Sequence, residues 1–175
     1  MELCEIDMAL DGQTMLIDTR EHDNAHLRWR INQMERPYER KALSFGDYSC
    51  KFPLTNGEWY SLENECCIER KQNLDEICGN FCQNRKRFER EFERASEAGA
   101  RVYLLIENAD WTKIFAHDYR SQMQPAALKA SLLAWLARYD CKLITCKPNE
   151  SGILIRDILL REGKERMIRK CEGKT

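Results

Sequence analysis

The chain contains no apolar run near the ~20 residues needed to span a bilayer. It also lacks the basic start and short apolar stretch of a secretory signal. A membrane or secreted protein is not expected. Neither sign of charge dominates, since 28 Lys and Arg stand against 29 Asp and Glu, for a formal net charge of −1. That balance excludes a globally basic nucleic-acid coat, so any DNA contact must come from a local patch. Charged residues still make up 33% of the chain with the signs interspersed, the pattern of a soluble folded surface. Internal repeats, low-complexity stretches and linkers are missing as well.

Histidine is scarce: His22, His26 and His117 are the only three, and none has ligand-like spacing to another histidine or a cysteine. Cysteine is not scarce. Nine is an odd number, and without a secretory signal it points to reduced thiols in an intracellular, cytoplasmic setting. Cys66-Cys67 and the pair Cys78 and Cys82 lack knuckle spacing and a histidine partner, so no structural zinc is expected. Burial as small apolar residues accounts for them. At 175 residues the chain fits a single domain with room for a real core.

Strands and helices alternate along the chain, which predicts an α/β fold with a central mixed sheet covered on both faces. A strand over 15–18 is followed by a helix over 24–34 that stops before Pro37. Residues 38–45 and 48–52 read as extended and are expected to pair as a hairpin across Gly46-Asp47, with a turn region at 53–57. A strand over 64–71 leads into a helix over 74–82, then a second over 85–98 that Gly99 ends. Next come a strand over 102–106, a helical turn over 111–116 and a helix over 125–139. In that helix Leu128, Leu132, Trp135, Leu136 and Tyr139 recur at helical spacing. A strand over 142–146 and a helix capped by Asn149 and reaching about Arg169 complete the reading.

The chemistry concentrates in Gly46-Asp47, Glu69-Arg70-Lys71 and Asp75. Side chains alternate on a strand, so Glu69 and Lys71 share one face and Arg70 takes the other. A hard cation such as Mg²⁺ takes oxygen ligands and keeps several waters, so Glu69 together with Asp47 from the turn-like Phe45-Gly46-Asp47-Tyr48 would suffice. Lys71 can then orient a metal-activated water or stabilise negative charge developing on an attacked phosphate. Each piece alone has a bland reading. A lone Glu-x-Lys on a strand is usually a solvated edge, and Asp75 in a first helical turn is favoured by the helix dipole. Their ordered occurrence with Asp18 is what favours a site, because acids gathered at strand ends repel one another unless a cation or basic groups offset them.

The pattern Gly-Asp, a spacer, Glu-Arg-Lys, three residues, Asp resembles the nuclease domain of the XPF-type structure-specific endonucleases, a branch of the restriction-endonuclease-like superfamily. Leu16-Ile17-Asp18-Thr19-Arg20-Glu21 looks like that family's opening strand, and Val102-Tyr103-Leu104-Leu105-Ile106-Glu107 like its next core strand. The resemblance spans roughly residues 14–146. It implies a restriction-endonuclease-like α/β/α sandwich in which Asp47 and Glu69 are metal ligands, Asp18 is a candidate third, and Lys71 is the catalytic lysine. It further implies active-site roles for Asp18, Arg70 and Asp75, supported by Arg20 and Glu21. The implied cofactor is Mg²⁺ or Mn²⁺, and the implied substrate is branched, flap or fork DNA in recombination, repair or replication, with a homodimer as the assembly. No tandem helix-hairpin-helix region follows the match and no helicase-like region precedes it, so the chain is similar to compact microbial or phage-borne relatives.

Asn84-Arg85-Lys86-Arg87 opens a helix without nearby acids, and Arg85, Lys86 and Arg87 are expected to grip DNA phosphates. Arg90 and Arg94 alternate with Glu89, Glu91 and Glu93 and read equally well as a solvated face. Two other readings remain open. One is a catalytically silent DNA- or partner-binding module with a nuclease fold, against which the retained lysine and acids speak. The other is an RNA nuclease, since metal and phosphate chemistry ignore the 2′-hydroxyl.

Overall fold

A computed structural model describes residues 3–173. These residues build one seven-stranded sheet from β1 (Thr14–Asp18), β2 (Tyr38–Lys41), β3 (Tyr48–Pro53), β4 (Trp59–Ser61), β5 (Cys66–Lys71), β6 (Arg101–Glu107) and β7 (Lys142–Cys146). The spatial order is β2-β1-β3-β5-β6-β7, with β4 paired to the far end of β3. β1 and β2 run parallel, as do β5, β6 and β7, while β3 is antiparallel to its neighbours β1 and β5.

Strand alternation sorts the apolar residues into two cores. Ile17, Phe52, Ile68 and Leu105 face α1 (Leu3–Asp11), α2 (Ala25–Met34) and α7 (Ser151–Cys171). Cys67, Val102, Leu104 and Ile106 face α3 (Leu74–Cys82), α4 (Arg85–Glu97), α5 (Trp111–Ala116) and α6 (Pro125–Tyr139). The result is the expected α/β/α sandwich. In the second layer Trp135 of α6 stacks on Phe88 of α4 with ring centroids 5.0 Å apart, which clamps α4 beside the sheet.

The expected hairpin between 38–45 and 48–52 is not formed. After the α2 crossover the chain returns in the same direction as β1, so β2 pairs with β1 in parallel, Met15 opposite Tyr38. The chain then passes the end of β1, and β3 pairs on its other edge, Ile17 opposite Tyr48. Gly46 makes that passage possible. Its φ is +71°, and a Cβ there would lie 2.7 Å from the Cys67 sulfur. The 53–57 turn instead closes the β3–β4 hairpin, where Leu54 N–H donates to Glu58 O. Helix α1 and strand β4 have no counterpart in the sequence reading. Asn149 does not cap α7, whose N-cap is Glu150, and the helix runs on to Cys171.

Five parallel strands, β1, β2, β5, β6 and β7, end at one edge of the sheet, where β3 begins. Asp18, Asp47, Lys71 and Glu107 all lie there.

Candidate active site

Glu69 and Lys71 project from β5 towards α3 and α4 and reach a pocket of about 230 Å³. Asp47 joins them because its backbone N–H donates to Ile68 O at 2.8 Å and its carbonyl accepts from Asp18 N–H at 2.9 Å, which locks the turn between two strand ends. Its Oδ2 accepts from the Arg70 N–H at 2.8 Å. The Lys71 ammonium donates to Glu69 Oε1 at 2.5 Å, lies 3.8 Å from Glu76 Oε1, and sits 5.2 Å from the centre of the Phe88 ring. Glu69 is 3% exposed, and its other oxygen, Oε2, has no hydrogen-bond partner.

Two carboxylates facing one lysine leave the pocket short of positive charge. Burial pushes the Asp47 carboxyl well above its usual range and Glu69 pushes it further, with Lys71 and the Arg70 N–H opposing. Burial also raises Glu69, against the pull of Lys71 and with a push from Glu91. Burial would lower Lys71, but Glu69, Asp47 and Glu76 together raise it. Arg20 and Arg87 flank the acids on the pocket wall. Among the described residues no three His, Cys, Asp or Glu side chains converge into a preassembled metal cage. Asp47 and Glu69 form a pair, which matches the demand of an ion that keeps its waters.

Asp18 is placed differently from its neighbours in the motif. It is fully buried, and four donors occupy its carboxylate: Arg20 N and Nε on Oδ1, and Arg20 Nη2 and Leu43 N on Oδ2. Burial opposes its ionisation, but these bonds together hold the carboxyl below its usual range. The expectation of a third metal ligand therefore meets a carboxylate whose roughly four acceptor sites are taken. Asp18 instead aims Arg20 at the pocket. Arg40 of β2 fastens the same loop by donating to the carbonyls of Asp18, Thr19 and Glu21.

Arg70 points to the opposite face, where its Nη1 donates to Glu107 Oε2 at 3.1 Å. Glu107 and Arg30 of α2 are each 3% exposed, and the two are paired at 3.2 Å. Arg30 also donates to Tyr48 Oη, which donates to Glu21 Oε2 at 2.8 Å. Glu21 thus belongs to this buried network and does not line the pocket of Asp47 and Glu69. The start of α7 presses close to it, because a Cβ on Gly152 would lie 2.4 Å from Arg30 O.

Asp75 lies outside the pocket lining. Its Oδ1 accepts from the N–H groups of Arg120 and Ser121 at 2.8 and 2.7 Å, so it pins the loop between α5 and α6 to α3. Of the basic run, Arg87 lines the pocket and Lys86 is exposed. Arg85 is opposed after all: one helical turn places Glu89 at 3.3 Å from its Nε.

Sequence reasoning passed over Glu91, Arg30 and Glu107. Glu91 lines the pocket and accepts from Gly46 N–H at 3.2 Å. A signal was available for each. Glu91 falls on the apolar stripe of Phe88, Phe92 and Ala95, and Arg30 on that of Leu27 and Met34. Glu107 follows the apolar run from Val102 to Ile106 at the end of its strand. A charge on a buried face needs a partner.

The ERCC4 domain family model matches residues 17–158. No curated protein sequence matches the chain. Among solved structures, XPF from Aeropyrum pernix superposes with a TM-score of 0.60 at 19% identity, covering 85% of this chain and 61% of that one. XPF from Aeropyrum pernix in a complex with DNA superposes with a TM-score of 0.60 at 18% identity, covering 87% of this chain and 66% of that one. The chain spans less than two thirds of either, and at this identity the likeness concerns the fold. With the family model covering most of its length, the chain belongs to the ERCC4 domain family, and it shares the fold of XPF.

Proposed function

We propose that this chain is a divalent-metal-dependent DNA endonuclease that hydrolyses phosphodiester bonds in branched, flap or fork DNA during recombination, repair or replication. One observation carries the reading: Glu69, which lines a pocket together with Asp47, keeps a buried carboxylate oxygen, Oε2, without a partner. An orphaned buried oxygen is unfavourable unless a ligand meets it. Two carboxylates suit Mg²⁺ or Mn²⁺, which complete their shells with water and phosphate oxygens. Such an ion, when bound, supplies Lewis acidity and a more acidic water.

The chain's own groups do the rest. Asp47 is oriented by the Arg70 N–H, and Glu69 by Lys71. Lys71 uses one of its three hydrogens on Glu69 and offers the others to the attacking water or a phosphoryl oxygen. Arg20, aimed by Asp18, and Arg87 offset phosphate charge at the pocket walls. Asp75 acts at a distance by holding the loop beside α3.

The same reading takes two copies as the working unit, with exposed Trp111, Phe115 and Leu133 of α5 and α6 as the apolar face. It takes the setting as intracellular, in keeping with a cysteine count of nine, an odd number. Among the described residues no helix is long and apolar enough to cross a membrane.

The test is a panel of labelled flap, fork, splayed-arm and single-stranded DNA with matched RNA, incubated with Mg²⁺ or Mn²⁺. Cleavage of forked DNA by the wild type and its loss in Lys71→Ala and Asp47→Ala are expected. Uncut DNA throughout, or equal behaviour of the three proteins, would sink the reading.

A further inference from the structure

The end of β5 separates two cavities. Glu69 and Lys71 reach the catalytic one, while Arg70, on the opposite face, borders a second of about 370 Å³ among the start of α2, the end of β6 and the loop before α7. Glu76 lines both, so the two are neighbours around the strand end. The volume falls at the lower end of the ~300–1,000 Å³ usual for small-molecule sites, room for a nucleobase.

The lining suits an uncharged, flat group with both donors and acceptors on its edge. Leu27 and Pro148 supply apolar wall. Asn24, Gln72 and Asn108 supply amides, and Arg70 brings a buried Nε that has no partner. A phosphate fits poorly. Glu21, Glu76 and Glu107 also border the cavity, and Glu107 already engages both guanidiniums, Arg30 and Arg70.

We infer that this cavity receives one unpaired nucleobase, from the nucleotide flanking the scissile phosphate. The inference rests on reading the adjoining pocket as a nuclease centre. A base must leave its stack and its partner to enter, which is easiest where the strand is already open. Base extrusion behind the catalytic strand therefore gives the nuclease domain its own reason to cut beside junctions.

The experiment uses the full chain and forked DNA carrying 2-aminopurine or an abasic site at each position in turn across the cut region. His26→Trp and Gln72→Trp are the plug variants; both positions are exposed at the cavity rim, and thermal melts check that they fold. Fluorescence is read with Ca²⁺ in place of Mg²⁺, and single-turnover cleavage with Mg²⁺. One position is expected to brighten several-fold on binding, and an abasic site there to slow cleavage about tenfold, within the range that base contacts supply. In both plug variants the brightening disappears and the abasic and intact substrates are cut alike. A protein that cuts forks but brightens at no position, or plug variants that keep the full abasic penalty, overturns the cavity assignment and leaves the nuclease reading standing. A protein that brightens at one position yet never cuts keeps the base site and removes the nuclease. Failure to bind the DNA at all overturns both.

Discussion

The Arg70 N–H holds Asp47 Oδ2 at 2.8 Å, so a residue whose side chain points away from the candidate site sets a carboxylate inside it. Behind the strand, the Arg70 side chain joins Glu107 and Arg30 in a buried network. Glu107→Gln leaves two guanidiniums without their shared counter-charge, and a loss of about 3–5 kcal/mol is expected. Chemical denaturation measures it. The double variant Arg30→Met/Glu107→Gln should lose less than the sum of the single changes, because the sites share one network.

Lys71→Ala and Glu69→Gln should each lower single-turnover cleavage by roughly 10²–10³ or more, while fork binding in Ca²⁺ stays within a few-fold. Mg²⁺ should raise the melting temperature of the wild type, by linkage to the folded state alone. That rise should vanish in Glu69→Gln. An unchanged rise would remove Glu69 from the ligand set.

With EDTA present, Asp47 and Glu69 bind protons more tightly folded than unfolded. Stability from this source is complete below the ordinary carboxylate range and declines as pH rises from about 4 through the raised folded values. At neutrality the pair therefore weakens the metal-free fold. Asp47→Asn should melt higher than wild type there, the gap should shrink towards acid, and saturating Mg²⁺ should narrow it. A gap independent of pH would contradict the assigned burial and repulsion.

Asp75→Asn keeps an oxygen for the Arg120 and Ser121 amides, whereas Asp75→Ala does not. The asparagine variant should cleave within a few-fold of wild type, the alanine variant should be slower, and Mg²⁺ affinity should be unchanged in both. A weakened Mg²⁺ response in Asp75→Asn would make the carboxylate a ligand.

Arg87→Ala should lower the slope of log affinity against log salt by about one. Arg85→Ala should change it less, because Arg85 is engaged by Glu89. Titrations at several salt concentrations compare the two.

Much of this architecture was legible in the residues. Alternation along 66–71 put Glu69 and Lys71 together and Arg70 opposite, and that is where the two cores separate. The parallel pairing of β2 was hidden, because a four-residue exposed strand carries no apolar pattern to show which edge it will meet. Residue type also failed to distinguish Asp18 and Asp75 from Asp47. All three are acids near strand or helix ends, and only the donors around them separate a saturated carboxylate and a loop anchor from one that faces a pocket.

Gly46 wedged against Cys67 fixes more than one turn. At this rim a single added carbon would drive apart the strands that carry the acids, so the connection cannot absorb length or bulk. The opposite rim, where residues 54–58 join β3 to β4, has open space around Gly57. Fusions and insertions that give such a domain new targeting should be accommodated there, leaving the chemistry undisturbed.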